Sequence, residues 1–240
     1  MARTTKRAQV RAPLSRERVL VTAVKLADQG GLESLSMRKL GQELGVEAMA
    51  LYYHFANKDE VINGMVDLVF SEVHLPAAGI DWKTAMRHRA RSLRDVLLRH
   101  PWALGLLESR RQPGPATLRH HDAVIGTLRS AGFDMPTIAH AYTLLDSYLY
   151  GFALFSVNLP FEPSEEVAEL GRVTLQAFPV DAYPNLVAYV AAMGPGYRYG
   201  DEFEYGLDLV LDGIQRAAGS SGSELGSSSA ATSQPSARPR

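Results

Sequence analysis

The sequence contains no cysteine. That absence excludes disulfides, thiolate metal sites and thiol catalysis, and it makes a reducing cytoplasm the expected location. Apolar runs long enough to cross a membrane, about 18 residues, are also missing, and the N-terminus leads into no apolar signal segment. The composition, 46% hydrophobic and 21% charged over 240 residues, predicts a globular protein of one or two domains.

The sequence has almost no excess charge of either sign, because its net charge is −1. The charges are nevertheless unevenly distributed along the chain. Residues 1–58 carry ten Lys or Arg against five Asp or Glu, whereas residues 59–219 carry thirteen against twenty. A basic N-terminal quarter followed by an acidic remainder favours an N-terminal end that faces nucleic acid, although mildly basic segments also occur in proteins that bind none.

Alternating strand patterns are absent too, and nearly every segment between the termini has helical periodicity. The sequence therefore predicts an all-α fold. Ser15, Ser36 and Asn57 are the expected N-caps of the first, second and fourth helices, and Glu60 stands in capping-box position after Asn57. The predicted helices cover residues 15–28, 36–44, 47–54, 57–70, 81–99, 101–109, 115–131, 135–157, 164–177, 184–193 and 201–217.

Composition and periodicity divide the chain into four segments. Residues 1–14 form a basic arm, and residues 219–240, rich in Ser, Ala, Gly and Pro, form a tail; both are expected to be disordered. Residues 15–75 are expected to form a compact three-helix N-terminal domain whose fourth helix leads into a larger helical C-terminal domain, residues 76–218.

Residues 36–55 have the pattern of a helix-turn-helix motif. Gly41 stands where the first helix lets the second approach closely, and Gly45 stands where the chain needs a positive φ to turn between them. By itself the pattern also fits two short amphipathic helices in any helical protein. The expected buried positions are Leu40, Leu44, Val46, Leu51 and Phe55.

Several stretches of this region resemble the DNA-binding domain of the TetR family of bacterial transcriptional regulators. They are Gly31-Leu32, Ser36-Met37-Arg38-Lys39-Leu40, Leu44-Gly45-Val46, Leu51-Tyr52-Tyr53-His54-Phe55 and Asn57-Lys58. The C-terminal domain is similar, more weakly, to the tetracycline-repressor type, through Asp81-Trp82, Arg99-His100-Pro101-Trp102, Gly132-Phe133 and Gly151. The resemblance implies a homodimer with one recognition helix per subunit in successive major grooves of a palindromic operator.

The resemblance also implies which side chains meet DNA. Arg38 is expected to reach a base edge or a phosphate, and Lys58 to hold a phosphate at the N-terminus of the fourth helix. The residues that open the recognition helix cannot make a bidentate base contact, so readout is expected to depend on Arg38, on thymine methyl groups and on DNA shape. The predicted DNA-binding set is Ser36, Met37, Arg38, Ala48, Met49, Ala50, Tyr52, Tyr53, His54 and Lys58.

For the C-terminal domain the resemblance implies a ligand pocket and a dimer face formed by helices 135–157 and 201–217. Leu106 and Phe155 align with the metal-linked groups of the tetracycline repressor, so we expect no metal and no cofactor but a dry pocket for a planar, largely apolar ligand. Core or dimer packing is the alternative for each pocket residue. The predicted ligand-binding set is His74, Met86, Arg89, Leu93, Trp102, Leu106, His121, Tyr142, Asp146, Tyr150 and Phe155.

The resulting prediction is a DNA-binding transcriptional regulator and not an enzyme. We expect a repressor that leaves its operator when a small aromatic ligand binds, with an antibiotic or related metabolite as ligand and an exporter gene as target. An activator, or a regulator without a small-molecule inducer, stays open as an alternative. A helical enzyme is a weaker alternative, because the sequence shows no nucleophile–base pair, carboxylate pair or phosphate loop.

Overall fold

The computed structural model describes residues 13–77, 79–107, 110, 112–160, 171, 173, 180–193 and 196–227. It confirms the predicted all-α fold, and within these residues there is no β-strand. In the same ranges, no helix combines the length and the apolar character needed to span a membrane. The α-helices, numbered in chain order, are α1 (Arg16–Gly30), α2 (Met37–Leu44), α3 (Ala48–Leu51), α4 (Lys58–Ser71), α5 (Trp82–Arg99), α6 (Pro115–Ser130), α7 (Met135–Val157), α8 (Pro184–Ala192) and α9 (Glu202–Ser227).

The chain folds into two compact units. The head unit comprises the residues up to Glu72 together with Arg99–Arg119, which we call the inserted segment. The body unit comprises Val73–Leu98 and the residues from His120 onward. This differs from the division expected from the sequence, which placed the inserted segment in the C-terminal domain.

The inserted segment belongs to the head unit because two aspartates hold it. Oδ1 of Asp28, on α1, accepts a hydrogen bond from Nε1 of Trp102 at 2.7 Å and lies 2.7 Å from Nδ1 of His100. Asp67, on α4, accepts from the backbone N–H of Thr117 at 2.9 Å and so caps the first turn of α6. Both contacts join residues far apart in sequence, which explains why local patterns did not reveal them.

The helix predicted over 101–109 is not continuous in the structure. A short 3₁₀-helix, Pro101–Ala103, stands there and is followed by turns as far as Leu107. Proline fits the first turn because it has no N–H to leave unsatisfied, whereas Gly105 costs about 1 kcal/mol relative to alanine inside a helix. These two residues favour a short turn over a full helix.

Two further differences concern the C-terminal part of the chain. The helix predicted over 164–177 lies almost wholly outside the described residues. The last helix, predicted to end at 217, continues to Ser227 and includes the first part of the tail that was expected to be disordered; residues 228–240 lie outside the described residues. Extension of an existing helix needs no new nucleus, so weak helix formers such as Ser and Gly can follow a stable one.

The predicted helix caps are confirmed at three N-termini. The Ser15 hydroxyl accepts from the Arg18 N–H at 3.2 Å, and the Ser36 hydroxyl accepts from the Lys39 N–H at 3.1 Å. Oδ1 of Asn57 accepts from the backbone N–H of the third residue of α4 at 2.9 Å. Each cap satisfies one of the N–H groups that a helix leaves unpaired at its start.

In the body unit, α7 and α9 pack along each other. The apolar stripe of α9 faces inward, with Phe203, Leu207, Leu211 and Ile214 all buried. Tyr148 on α7 strengthens the contact, because its hydroxyl donates to the Phe203 carbonyl at 2.8 Å. Burial lowers the stability of the Tyr148 phenolate and raises the pKa of Tyr148 to about 12, so this hydroxyl keeps its proton.

Three ion pairs, which we call the ladder, connect α5 to α9 at regular spacing. Lys83 pairs with Asp212 at 2.7 Å, Arg87 with Asp208 at 2.5 Å, and Arg91 with Glu204 at 2.7 Å. The partners are four residues apart on both helices and run in opposite directions. These pairs connect α5 to α9.

Candidate DNA interface and ligand site

The helix-turn-helix is built around two glycines. Gly45 ends α2 with φ 69° and ψ 37°, the left-handed conformation that glycine adopts without strain. A Cβ on Gly41 would lie 2.9 Å from the Val46 carbonyl oxygen and 3.2 Å from the Ala48 nitrogen. The structure therefore confirms both roles expected from the sequence, a positive φ at the turn and a close approach of the two helices.

The apolar side of the motif forms the head core. Leu40, Leu44, Leu51 and Phe55 are buried, and Val46 is half-buried against them. These residues anchor both helices of the motif to α1 and α4, as expected from the sequence. The recognition helix thus has a fixed inner side, and its remaining side chains face outward.

The outward side of the recognition helix is apolar and aromatic. Met49 is 71% exposed and Tyr53 is 90% exposed, whereas Ala48 and Ala50 are only half-buried small side chains. Large exposed apolar side chains that pack against nothing in their own chain indicate a surface for a partner. Met49 and Tyr53 are therefore available for contact with a partner.

The recognition helix is shorter than predicted. Regular helix spans only Ala48–Leu51, and turns follow through His54. Tyr52 is exposed rather than buried in the core, and His54 is half-buried. The predicted contacts Tyr52, Tyr53 and His54 therefore belong to a turn at the end of the helix.

The flanking polar residues also lie on the surface. Ser36, Arg38 and Lys58 are exposed, and Met37 is half-buried against the head core. The Ser36 hydroxyl is already occupied as the cap of α2. Arg38 and Lys58 stand in the first turns of α2 and α4, where helix N–H groups and a basic side chain together attract phosphate.

Arg16, an exposed residue at the start of α1, also contacts this region and was not predicted from the sequence. Arg16 donates a hydrogen bond to the His54 carbonyl, and its Nη2 lies 2.9 Å from Oε1 of Glu60. Its guanidinium also lies over the Phe55 ring, 4.2 Å from the centroid. No local pattern signals this group, because Arg16 and Glu60 are 44 residues apart in sequence.

In the body unit, two predicted ligand residues form a buried ion pair. Arg89 is only 1% exposed, and its Nη2 lies 2.6 Å from Oδ1 of Asp146. Its Nε donates to Nε2 of His120 at 3.1 Å, so the proton of that imidazole is on Nδ1. Burial, aided by the charge of Arg89, lowers the pKa of His120 to about 3 and keeps this side chain neutral.

The cluster continues toward two further predicted ligand residues. Nδ1 of His121 forms a hydrogen bond with the Tyr142 hydroxyl, and the Tyr142 ring centroid lies 5.9 Å from Cζ of Arg89. Both side chains are half-buried. Arg89, Asp146, His121 and Tyr142, which the sequence analysis selected one at a time, are therefore neighbours, and His120 is the member that it left out.

The other predicted ligand residues of the body unit are spread more widely. Met86 and Leu93 are buried on α5, on the same side of the helix as Arg89. Tyr150 is half-buried on α7. His74 is exposed, and its backbone N–H donates to the Ser92 hydroxyl at 2.9 Å. Phe155 is 68% exposed on α7, which is a position for a surface contact rather than for a pocket wall.

Trp102 and Leu106 lie elsewhere. Both pack against the apolar core of the head unit, and Nε1 of Trp102 donates to Asp28. The structure thus gives Trp102 a structural role in the head that the sequence analysis did not foresee. We expected these two side chains to line the ligand pocket, but their surroundings in the head core do not support that expectation.

A surface cleft of about 630 Å³ opens in the body unit between the residues that precede α5 and the second half of α6. Its walls include Asp81, Trp82 and Thr127. None of the predicted ligand residues lines this cleft. Among the described residues, no group of three or more His, Asp or Glu side chains has the spacing of a metal site.

The features of the two units together indicate a class of protein. A helix-turn-helix with an exposed apolar recognition surface in one unit, and a helical body with a buried polar cluster in the other, are typical of a DNA-binding regulator. A family profile described as "Tetracyclin repressor-like, C-terminal domain" matches residues 75–218, and one described as "Bacterial regulatory proteins, tetR family" matches residues 19–65. The chain belongs to the TetR family, whose members are DNA-binding transcriptional regulators and not enzymes.

Relatives of known identity agree with this assignment. The chain is 31% identical over 220 residues to an HTH-type transcriptional regulator of Saccharopolyspora erythraea, covering 90% of this chain and 91% of that one. It is 31% identical over 212 residues to the HTH-type transcriptional repressor DrrR1 of Streptomyces coeruleorubidus, covering 84% and 77%. The crystal structure of the TetR family protein ActR of Streptomyces coelicolor in complex with actinorhodin aligns with a TM-score of 0.72 at 30% identity, covering 87% of this chain and 98% of ActR.

Proposed function

We propose that this TetR-family regulator represses transcription by binding a palindromic operator as a homodimer, and that a small, largely apolar aromatic ligand releases it. The observation that carries the DNA part is the exposed recognition surface of Met49 and Tyr53, flanked by Arg38 and Lys58. Because Ala48 and Ala50 offer no hydrogen bonds, the base contacts come from Arg38, from apolar contact with thymine methyl groups and from DNA shape.

The dimer face that we propose lies on the outer sides of α7 and α9. Leu144, Leu154 and Phe155 on α7 and Tyr205 and Leu209 on α9 are large apolar side chains exposed in the single chain. A second copy of the same chain would bury them across a two-fold axis. The inward stripe of α9, which includes Ile214, is occupied in the monomer and so supplies no part of this face.

For the ligand we propose contact with the buried cluster around Arg89. Oδ2 of Asp146 is buried and accepts no hydrogen bond within the described residues. A buried acceptor without a donor costs about 1–3 kcal/mol, and a ligand hydroxyl would recover that cost. Tyr142, Tyr150, Met86 and Leu93 would supply the apolar and aromatic surroundings. An antibiotic-like metabolite fits this chemistry, and an exporter gene fits as the regulated target.

The DNA part is tested by selecting duplexes from a random double-stranded pool with the purified protein. We expect a palindrome whose half-site centres are about one helical turn, ~34–36 Å, apart. The duplex obtained in this way, called the selected duplex below, then serves in gel-shift titrations. Enrichment of a sequence without two-fold symmetry would contradict the dimeric arrangement, and no enrichment at all would contradict DNA readout by this surface.

The ligand part is tested on the selected duplex with actinorhodin as an aromatic probe and tetracycline as a magnesium-chelating probe. The carboxylate of the proposed site, Asp146, is paired with Arg89, whose positive charge opposes a metal ion beside it. We therefore expect actinorhodin to release the DNA equally well with magnesium or with EDTA, and tetracycline to release it poorly. Release that requires magnesium would contradict the metal-free site, and a protein that no aromatic probe releases would support a regulator without an inducer.

Repression itself is separated from activation by a reporter gene placed behind the selected duplex. Deletion of the regulator is expected to raise reporter expression, because the bound dimer blocks the promoter. A fall in expression would identify an activator instead. A scrambled duplex of equal length is the control for effects that do not depend on the operator.

A further inference from the structure

We infer that Arg16 positions the DNA-reading residues without contacting DNA itself, by fixing the short turn that connects the recognition helix to α4. Arg16 is the first residue of α1, at the edge of the basic N-terminal arm. Its charge and location would suggest a phosphate contact, but its guanidinium, although partly exposed, already contacts His54, Glu60 and Phe55.

Three contacts of the guanidinium converge on the turn. One amino group donates to the backbone carbonyl of His54, which ends the recognition segment. The other lies 2.9 Å from Oε1 of Glu60 in the first turn of α4. The Cζ atom of the guanidinium lies 4.2 Å from the ring centroid of Phe55, a buried residue. A planar fork with a stacking face is a property of arginine that lysine lacks.

Glu60 carries the connection further into the turn. Its second oxygen, Oε2, accepts from the backbone N–H of Ala56 at 2.6 Å, and its own N–H donates to Oδ1 of Asn57 at 2.9 Å. The hydrogen bond from the Ala56 N–H lowers the pKa of the Glu60 carboxyl most, and the bond from Arg16 lowers it further. The carboxylate is therefore charged near neutral pH. Arg16 and Glu60 therefore hold both ends of the turn.

The turn matters because predicted DNA contacts stand on either side of it. Tyr53 and His54 precede it and Lys58 follows it. A displacement of about 1 Å is enough to spoil a preorganised recognition geometry. A phosphate placed on Arg16 would have to compete with the Glu60 carboxylate, which already occupies one side of the guanidinium fork.

The first experiment measures binding of the full-length Arg16→Ala variant to the selected duplex by fluorescence anisotropy over a range of salt concentrations. We expect an affinity loss of roughly tenfold with an unchanged slope of log affinity against log salt, since no phosphate contact is removed. Lys25→Ala is the matched control, because Lys25 is an exposed basic residue on the same helix. It is expected to bind like wild type. Circular dichroism melting shows that each variant is folded at the assay temperature.

Two further variants separate positioning from a phosphate contact. Arg16→Lys keeps the charge but cannot form the fork and the stack, so we expect it to bind as weakly as Arg16→Ala. Glu60→Gln keeps an oxygen for Ala56 but weakens the pair with Arg16. We expect Arg16→Ala to cost much less in the Glu60→Gln background than in wild type, because the two residues act as one unit.

A different set of results would overturn the inference. A salt slope reduced by about 0.9 for each lost contact, together with rescue by Arg16→Lys, would identify Arg16 as a phosphate contact. Additive losses in the Glu60→Gln background would show that Arg16 does not act through Glu60. Wild-type affinity of Arg16→Ala would show that the turn holds its geometry without this side chain.

Discussion

The head unit and the body unit use their polar side chains in opposite ways. In the head, Arg38 and Lys58 stand exposed at helix N-termini, and the polar groups behind them fix backbone turns. In the body, Arg89 and Asp146 form an ion pair that is almost fully buried. Arg38 and Lys58 thus stay in contact with water, whereas Arg89 and Asp146 are shielded from it.

The difference shows where each unit is sensitive to mutation. A charge at the surface contributes little to folding, since water and salt screen it. A buried charge depends entirely on its partner, and the loss of that partner is costly. Head variants are therefore expected to change DNA binding with little effect on stability, and body variants to change stability first.

The largest expected effect tests the buried pair. Arg89→Met leaves Asp146 buried without its counter-charge and is expected to lower the free energy of unfolding by about 3–5 kcal/mol. Arg91→Met on the same helix breaks only the partly exposed pair with Glu204 and is expected to cost at most about 1 kcal/mol. Urea denaturation compares the two variants. Equal losses of unfolding free energy in the two variants would contradict the distinction between buried and exposed charges. Recovery of stability in the double variant Arg89→Met/Asp146→Leu would support it.

The next effect concerns the exposed arginine of the head. Arg38→Ala is expected to weaken binding to the selected duplex by about 1–3 kcal/mol and to relax the preference at one base position. Stability should stay within about 0.5 kcal/mol of wild type, because Arg38 lies on the surface. Anisotropy titration and thermal melting measure the two quantities. A large loss of stability with normal DNA binding would be the opposite of what the head surface predicts.

A graded effect on stability comes from pH. The pKa of His120 falls from 6.5 in the unfolded chain to about 3 in the folded one. Between these values the unfolded chain binds a proton that the folded chain does not, so stability falls as pH drops below 6.5. The slope contributed by this one group approaches ~1.4 kcal/mol per pH unit. Urea unfolding of wild type and His120→Asn between pH 4 and 7 measures it, and identical profiles would exclude His120 as the source.

The smallest effect is expected for the exposed lysine. Lys58→Ala should weaken binding to all duplexes by a similar factor and reduce the salt slope by about one unit per subunit, because one phosphate contact is lost on each. Binding to the selected duplex and to a scrambled duplex is compared over the same salt range. A loss confined to the selected duplex would mean that Lys58 reads bases.

Much of the head could be predicted from the sequence because its signals are local. Ser15, Ser36 and Asn57 act on N–H groups three residues away, and Gly41 and Gly45 shape a turn within the same motif. Their roles follow from backbone geometry alone, and the structure confirms them. The helices predicted over 81–99, 115–131, 135–157 and 184–193 are confirmed to within about a residue for the same reason.

What could not be predicted depends on residues that are distant in sequence. Arg89 meets Asp146 across 57 positions, and Trp102 meets Asp28 across 74. No periodicity tells which arginine of α5 turns inward to a partner on α7, nor that Trp102 packs in the head rather than in a pocket. The resemblance to the tetracycline-repressor type suggested both residues for the ligand pocket, but Arg89 lies in the buried cluster of the body and Trp102 packs against the head core.

The ladder between α5 and α9 also limits how these helices can move. Its rungs repeat every four residues on both helices, so sliding α5 by one turn, about 5.4 Å, would bring new partners into register. In one direction Lys83 would meet Asp208 and Arg87 would meet Glu204, and a single pair would be lost. In the other, Arg87 would meet Asp212 and Arg91 would meet Asp208, so one pair would again be lost, and Lys83 would face Arg216, a like charge. A shift in either direction therefore costs at least one pair, so the ladder favours the single register in which all three pairs form.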